Sequence, residues 1–370
     1  MAKPIQEIWE LPDLAIPVPK GRLEGILGDE CLQDLEQRLG NGFVALSNSK
    51  SPSLHQAVLV MEFVRAIHGR KVTYKSIDEF REMCQKKVPL PASRSVVAFL
   101  YQTTYTATSA QIHAYFDSVE YLGAQFRPYP HRTEIIWDAR KVPDIEVLDE
   151  IARSAQNRRF SYRPITCFGN SPCELSEEVI TIQKRSTSCA SRHVKQVKKS
   201  HLLRCSSDKS RLRSEGSEVY FHQKYEPLLM TFGEFRVFVV CFERACALRG
   251  REPSIEHIVR TRWSEDKSCV ATNVTPTDAL WQEIPASPKE LHKYVLYVVS
   301  CLRQRTDWAK HYESLEVGVR LDVGVSETGL FFVNEITRWY SADFFSSTTL
   351  EAPHTQLCDK YATALHSYFP

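Results

Sequence analysis

The stretch that decides the fold lies near the end of the chain and reads Val317-Gly-Val-Arg-Leu-Asp-Val-Gly-Val325. Its odd-numbered positions are apolar, and this period of two is typical of a β-strand with one buried face. Arg320 and Asp322 fall on the opposite face. Ser326-Glu-Thr-Gly329 is a turn signal, and the following Leu330-Phe-Phe-Val-Asn-Glu-Ile336 again has strand composition. The sequence therefore predicts an antiparallel hairpin.

The apolar faces of the two strands predict the register of this hairpin. The matching register pairs Val325 with Leu330, Val323 with Phe332 and Val319 with Ile336. It places Arg320 directly opposite Glu335, with Asp322 on the diagonal. A loop of odd length would instead place Glu335 among the valines, at a cost of several kcal/mol for a buried unpaired charge. We therefore expect these three side chains to converge.

Two carboxylates and an arginine on one face of an apolar hairpin suit a particular ligand chemistry. Magnesium takes one or two protein carboxylates together with phosphate oxygens, and an arginine nearby neutralises a phosphoryl group. The alternative interpretation is a surface salt bridge between Arg320 and Glu335 with Asp322 in solvent, worth less than ~1 kcal/mol.

The composition excludes several classes of protein. A chain of 370 residues with a net charge of +2 predicts two or three packed lobes and no general affinity for nucleic acid or anionic membranes. The longest apolar runs are too short for a membrane span, and the first residues lack a secretory signal pattern. The 11 cysteines show no zinc-ligand spacing and are interpreted as reduced. A cytoplasmic location is expected.

The patterns along the chain predict a mixed α/β protein in three parts. Residues 1–110 form an N-terminal α/β lobe, residues 111–175 a small central α/β domain with a linker, and residues 176–370 a C-terminal lobe rich in antiparallel sheet. Helices are predicted over residues 29–39, 54–68 and 112–122, and a linker over residues 86–92. Strands are predicted over residues 179–184, 219–223, 234–241, 256–263, 317–325 and 330–336. Ser287, Pro288 and Glu290 predict a capping box at the start of a further helix.

Two further segments carry polar groups suited to a phosphorylated ligand. Lys184 shares a strand face with Ile180 and Ile182, so that its ammonium extends past an apolar surface, and Ser186 and Ser188 follow as hydroxyl donors. A solvated loop is the alternative there. In Gly233-Glu-Phe-Arg-Val237, Glu234 and Arg236 share one face, and their alternative is an ion pair on an edge strand.

The order of these segments resembles that of the ATP-grasp superfamily over roughly residues 111–345. The resemblance implies that Lys184, Ser186 and Ser188 contact the phosphates of ATP and that Arg236 faces the terminal phosphate. It assigns magnesium to Asp322, Glu335 and Thr337. Adenine contacts are implied at Phe221, His222 and Gln223. Two departures stand out, since the loop after Lys184 has no glycine, and Thr337 stands where the family commonly has asparagine while Asn334 is expected on the opposite pleat.

The family activity implied is a ligase reaction, in which ATP phosphorylates a small-molecule carboxylate and an amine then attacks the acyl phosphate. Arg320 and Arg338 are assigned to the catalytic set, with Arg338 placed to hold a substrate carboxylate unless it is a surface residue. The alternatives are a kinase of the same fold, a catalytically inactive nucleotide-binding relative, and a nucleic-acid-binding module built on the basic run at residues 192–213. The sequence leaves open the substrates, the number of metal ions and the oligomeric state.

Overall fold

The computed structural model describes most of the chain. The described residues are 7–10, 45–46, 52–53, 56–74, 77–86, 96–99, 109–122, 126–138, 140–168, 175, 178, 180–186, 195–198, 220–243, 250–263, 269–342 and 352–369. The predicted helix at residues 29–39 and Ser188 lie outside these residues, as do most of the linker at 86–92 and most of the basic run at 192–213.

The first part of the chain forms a parallel sheet with helices. Its strands are β1 (Glu7–Glu10), β4 (Lys71–Tyr74), β5 (Val96–Phe99) and β6 (Phe126–Tyr129), in the order β4-β1-β5-β6. A separate short pair consists of β2 (Ala45–Leu46) and β3 (Pro52–Ser53). The helices are α1 (Gln56–His68), α2 (Ile77–Gln85), α3 (Ser109–Leu122), α4 (Arg132–Asp138) and α5 (Lys141–Ser154).

A second, antiparallel sheet carries the segment around Lys184. It contains β7 (Thr166–Cys167), β8 (Ile180–Arg185), β9 (Lys195–Lys198) and β10 (Tyr220–Lys224), in the order β7-β10-β8-β9. The short helix α6 (Pro227–Thr231) follows β10. It leads into Gly233, whose φ of +95° is a left-handed conformation open to glycine.

The third sheet is antiparallel and has five strands. They are β11 (Glu234–Glu243), β12 (Arg251–Trp263), β13 (Cys269–Asn273), β14 (Gly318–Val325) and β15 (Phe331–Arg338), in the order β13-β12-β11-β14-β15. Helices α7 (Pro288–Gln304) and α8 (Ala352–Tyr368) complete the described α-helices. Every described helix is too short or too polar to span a lipid bilayer.

Two hydrophobic clusters hold this five-stranded sheet. On one face, Val319, Leu321 and Val323 pack with residues of α5 and α7 such as Leu148 and Val298. This is the period-two apolar face that the sequence predicted. On the other face, residues of β11 and α8 join side chains of the first lobe, in a cluster that includes Leu59, Tyr115, Phe238, Val240, Tyr361 and Leu365. The rest of that second face carries the polar side chains discussed below.

The mixed α/β architecture predicted from the sequence is confirmed, and the six predicted strands appear as β8, β10, β11, β12, β14 and β15. The helix start at Ser287 is also confirmed, because its hydroxyl accepts from the amide of Glu290 while the Glu290 carboxylate accepts from the amide of Ser287. The boundaries between the three predicted parts stay a proposal. The first sheet contains strands from both sides of residue 110.

The predicted register of the hairpin is wrong in detail. Near the turn, Val325 lies opposite Phe331 and Val323 opposite Val333, whereas beyond a β-bulge Asp322 lies opposite Glu335 and Arg320 opposite Thr337. The extra residue is Asn334, inserted on β15 between the partners of Asp322 and Val323. If the register near the turn continued, Glu335 would lie opposite Leu321 on the apolar face. The additional residue moves the side chains that follow it to the other face, so that Glu335 joins Asp322 on the polar face and Ile336 joins Leu321 on the apolar face.

Candidate functional site

The hairpin brings its polar side chains together on one face, as the sequence predicted. Arg320 lies on β14, between β11 and β15, and holds Asp322 through two hydrogen bonds, from Nε to Oδ1 at 2.7 Å and from Nη2 to Oδ2 at 2.9 Å. The same Nη2 donates to Thr337 Oγ1 at 3.1 Å. Both members of the pair are buried. The predicted pairing of Arg320 with Glu335 is replaced by this pair, because the bulge places Glu335 opposite Asp322.

Asn334 also belongs to the site, although the sequence pattern assigned it to the opposite pleat. Its Oδ1 accepts a hydrogen bond from Lys184 Nζ at 2.8 Å, and its Nδ2 donates to Glu234 Oε2 at 3.1 Å. A bulge redirects a side chain in this way because the residue it adds is released from strict alternation. Asn334 therefore connects the second sheet to the five-stranded sheet.

Lys184 lies near the end of β8, where the two sheets meet. Its Nζ donates to Gln223 Oε1 at 2.7 Å as well as to Asn334. Burial, reinforced by the charge of Lys141, lowers the pKa of this ammonium to about 7. A cation held beside neutral amide oxygens in a desolvated position is ready to gain an anionic partner.

Lys141 is a functional candidate that the sequence analysis missed. It is the first residue of α5, and its Nζ lies 3.1 Å from Glu335 Oε2. Its backbone amide donates to the carbonyl oxygen of Ser186 at 3.0 Å, which ties the start of the helix to the end of β8. Burial acts to raise the pKa of Glu335, but Lys141 and then Arg320 outweigh it and hold that pKa below its ordinary value.

Strand β11 adds Glu234 and Arg236 to the same face. Arg236 Nε lies 3.8 Å from Asp322 Oδ2, is buried, and has no hydrogen-bond partner among the described residues. Burial and the neighbouring Asp322 raise the pKa of Glu234. An anionic ligand would accept from the Arg236 donor, and a cation bound with that ligand would offset the charge of the neighbouring carboxylates.

The remaining predicted ligand-binding residues lie on or beside β8 and β10. Ser186 is buried at the end of β8. Gln223 contacts Lys184 and also donates from Nε2 to Thr166 Oγ1 at 3.1 Å. Phe221 packs with Val142 and Ile145 of α5 and with Phe168, whereas His222 lies on the opposite face of β10, with Nδ1 3.4 Å from Thr181 Oγ1.

Arg338 has a different environment from either one predicted for it. It is fully buried, so it is not a surface residue, and its guanidinium donates to both oxygens of Asp144, one of them at 3.0 Å. Nη1 also lies 3.4 Å from Asp138 Oδ1. These interactions, with Asp144 first, raise the pKa of Arg338 above its already high ordinary value against the effect of burial. Its carboxylate partners come from the protein rather than from a substrate.

The donor set fits magnesium bound with phosphate but not an all-protein metal cage. Within the described ranges, no group of three or more His, Cys, Asp or Glu side chains is arranged to hold a metal. Asp322 and Glu335 lie directly opposite each other, and the hydroxyl of Thr337 is on the same face. Magnesium commonly uses one or two carboxylates and completes its shell with water and nucleotide phosphates. The carboxylates of Asp322 and Glu335 suit that mode of binding, because four cationic side chains lie close to them. These are Lys141, Lys184, Arg236 and Arg320.

Comparisons of the sequence with protein-family models and with curated proteins give no match. Among solved structures, the chain is similar to D-cycloserine synthetase DcsG, with a TM-score of 0.50 and 12% identity over 98% of this chain and 99% of that one. Other matches are the ATP-grasp ligase PsnB complexed with a minimal precursor variant, Mg and ADP (TM-score 0.47, 12% identity, 98% and 100% covered) and the macrocyclase MdnC bound with precursor peptide MdnA from Microcystis aeruginosa MRC (TM-score 0.46, 12% identity, 98% and 99% covered).

Proposed function

Because this chain has the fold of the ATP-grasp superfamily, we propose that it binds ATP with magnesium and uses them to join a carboxylate to an amine. The nucleotide would lie between the second sheet and the five-stranded sheet. The contact of Lys184 with Asn334, immediately beside Glu335, is the observation that carries this proposal. It brings the end of β8 to the carboxylate-bearing strand.

The charges around this contact support phosphate binding. Lys141, Lys184, Arg236 and Arg320 surround Asp322, Glu234 and Glu335. In a desolvated cleft, preorganised cationic groups stabilise charge that develops on a phosphoryl group far better than water does. We assign Lys141 and Lys184 to the phosphates and Arg236 to the transferred phosphoryl group, while Arg320 holds Asp322 in place.

Magnesium, held by Asp322 and Glu335 with Thr337 as a weaker candidate, would neutralise the phosphate oxygens. A substrate carboxylate oxygen attacks the terminal phosphorus, the bond to the bridging oxygen breaks, and ADP leaves with the bonding electron pair. The amine then attacks the acyl carbon, loses a proton and expels phosphate, so that a C–N bond replaces the C–O bond. Adenine would contact β10 at Phe221 and Gln223, on the face where Lys184 donates to Gln223, whereas His222 lies on the opposite face.

The experiment begins with a calorimetric titration of the full chain with ATP and magnesium. An ADP-release screen of mixtures of carboxylates and amines follows, and the products are examined by mass spectrometry. A new amide supports the ligase assignment, and a phosphorylated hydroxyl would replace it with a kinase. Absence of nucleotide binding would refute the proposal altogether.

The metal assignment is tested by two variants of the site. Asp322→Asn and Glu335→Gln each keep the size of the side chain but remove a charge, so we expect ADP release to fall at least ~100-fold, as for loss of a preorganised charge-stabilising group. Glu283→Gln is the matched control, because its carboxylate is 59% exposed and 3.8 Å from Arg260. ADP formation by Asp322→Asn at the rate of the control would remove that residue from the site.

A further inference from the structure

Arg338 connects strand β15 to the helix that carries Lys141. Its side chain has no exposed surface, and Asp144 of α5 receives two of its hydrogen bonds. Asp138 lies at 3.4 Å, and the hydroxyl of Tyr312 donates to Asp144 Oδ1 at 3.0 Å. Bidentate arginine–carboxylate pairs fix orientation as well as distance, since two parallel hydrogen bonds define the relative plane of both groups.

The same helix holds the same strand at a second point. Lys141 precedes Asp144 by one helical turn, and its ammonium pairs with Glu335, three residues before Arg338. Arg338 lies opposite Val319, on the apolar face, whereas Glu335 lies opposite Asp322, on the polar face. Helix α5 therefore contacts side chains on both faces of β15, Glu335 through Lys141 and Arg338 through Asp144. Because β15 is the outermost strand of its sheet in the described region, no neighbouring strand on that side fixes its position.

The position of Lys141 affects more than one element. Its amide donates to the carbonyl oxygen of Ser186, two residues after Lys184. A displacement of the start of α5 would therefore move the lysine that pairs with Glu335 and the end of the strand that carries Lys184. Misplacement of a catalytic group by about 1 Å costs up to ~100-fold in rate. Without the charge of Asp144, the described carboxylates left near the Arg338 guanidinium are Asp138 at 3.4 Å and Glu134 at 3.7 Å, both on α4, so the ion pair that holds α5 to β15 is lost.

We propose that Arg338 is a positioning residue, which acts through Asp144 to hold Lys141 and Glu335 at the separation needed to bind a magnesium–nucleotide complex. The inference rests on the proposed function. It assigns to Arg338 an action through neighbouring residues in place of direct contact with substrate. It also predicts a defect that loss of folding stability alone would not produce, namely a higher magnesium requirement for nucleotide binding.

The test measures binding of ADP to the full-length chain by calorimetry over a range of magnesium concentrations. Asp144→Asn keeps the shape of the side chain and removes its charge. We expect ADP affinity at saturating magnesium to fall about tenfold, as when groups that orient metal ligands are removed, and half-maximal binding to require more magnesium. Tyr312→Phe removes only the hydroxyl that donates to Asp144 and should shift both quantities in the same direction by a smaller factor.

Glu316→Gln is the matched control. Glu316 accepts two hydrogen bonds from Arg303, at 2.9 and 2.6 Å, in another arginine–carboxylate pair, which joins the last turn of α7 to the residues just before β14. The Glu316→Gln variant should unfold at a lower temperature than wild type, but its ADP affinity and the magnesium dependence of that affinity should stay within twofold of wild type.

Three outcomes separate the inference from the function it rests on. If wild type does not bind ADP, the proposed function fails and the inference fails with it. If wild type binds ADP and a folded Asp144→Asn binds it with the same affinity and magnesium dependence, the positioning role alone is refuted. If Asp144→Asn does not fold, Tyr312→Phe decides, and magnesium dependence identical to that of Glu316→Gln would overturn the inference.

Discussion

Binding of a nucleotide should cause the protein to take up a proton at Lys184. Among the described residues, the ammonium donates hydrogen bonds to the amide oxygens of Gln223 and Asn334, and burial together with Lys141 lowers its pKa to about 7. A phosphate placed beside it would return that pKa toward its ordinary value of about 10.4. At pH 8 roughly nine-tenths of the free lysines are neutral, so that binding should take up about 0.9 proton per site.

The sign of the pH dependence follows from this linkage. Binding raises the pKa of Lys184, so the nucleotide prefers the protonated form, and affinity should decrease as the pH rises above 7. The decrease approaches about tenfold per pH unit until the pKa of the bound state is reached. Below pH 6 the lysine is already charged in the free protein, and its contribution to the pH dependence disappears.

The measurement is calorimetry of ADP with magnesium at pH 8 in two buffers of very different ionisation enthalpy. Proton uptake appears as a difference between the two observed heats. Lys184→Arg is the control, since a guanidinium stays protonated throughout this range and should abolish the difference. Equal heats in both buffers for a wild-type protein that binds ADP would refute the reasoning about Lys184.

Two further predictions concern stability rather than binding. Gly329→Ala should lower the free energy of unfolding in urea by more than ~1 kcal/mol, because Gly329 has a φ of +77° and an added Cβ would lie 1.8 Å from the carbonyl oxygen of Pro285; an unchanged midpoint would contradict this. The stacked rings of His68 and His366, 4.1 Å apart, have pKa values lowered chiefly by burial, so the stability they contribute should be present above pH ~6.5 and lost as the pH falls. Thermal unfolding at pH 7 and 5 checks this, and His366→Phe should reduce the difference.

Much of the hairpin could be predicted from the sequence because alternation is a local property. The period of two in β14 assigns Arg320 and Asp322 to one face without knowledge of any other part of the chain. The capping box at Ser287 is equally local, since its donor and acceptor are three residues apart. Both features depend on residues close together in the sequence, so they can be predicted without knowledge of the tertiary structure.

The bulge at Asn334 could not be predicted in this way. The alternation of apolar residues in both strands is compatible with several registers, and the turn does not by itself decide among them. The structure combines one register near the turn with another at Asp322. The added residue turns Asn334 toward Lys184, and the sequence offers no separate signal for it beyond the polar pair Asn334 and Glu335 itself.

Long-range pairs account for the other misses. Lys141 and Glu335 are 194 residues apart in the chain, as are Asp144 and Arg338. An arginine is rarely buried unless it is paired, and its partner cannot be identified from a single sequence. The position of Lys141 at the start of a helix, after Arg140, was the available signal, but charged residues there are common on any surface.

The hydrophobic cluster beneath the first lobe has a consequence for the chain as a whole. It combines Leu59 and Tyr115 from the early helices with Phe238 of β11 and with Tyr361 and Leu365 of the last helix. Cleavage of the backbone between α3 and β11 would leave two fragments, each with an exposed hydrophobic surface that the other fragment covers in the intact chain. The first lobe and the five-stranded sheet therefore stabilise each other, and the part of the chain that carries the candidate site cannot be produced as a separate soluble domain unless that surface is redesigned.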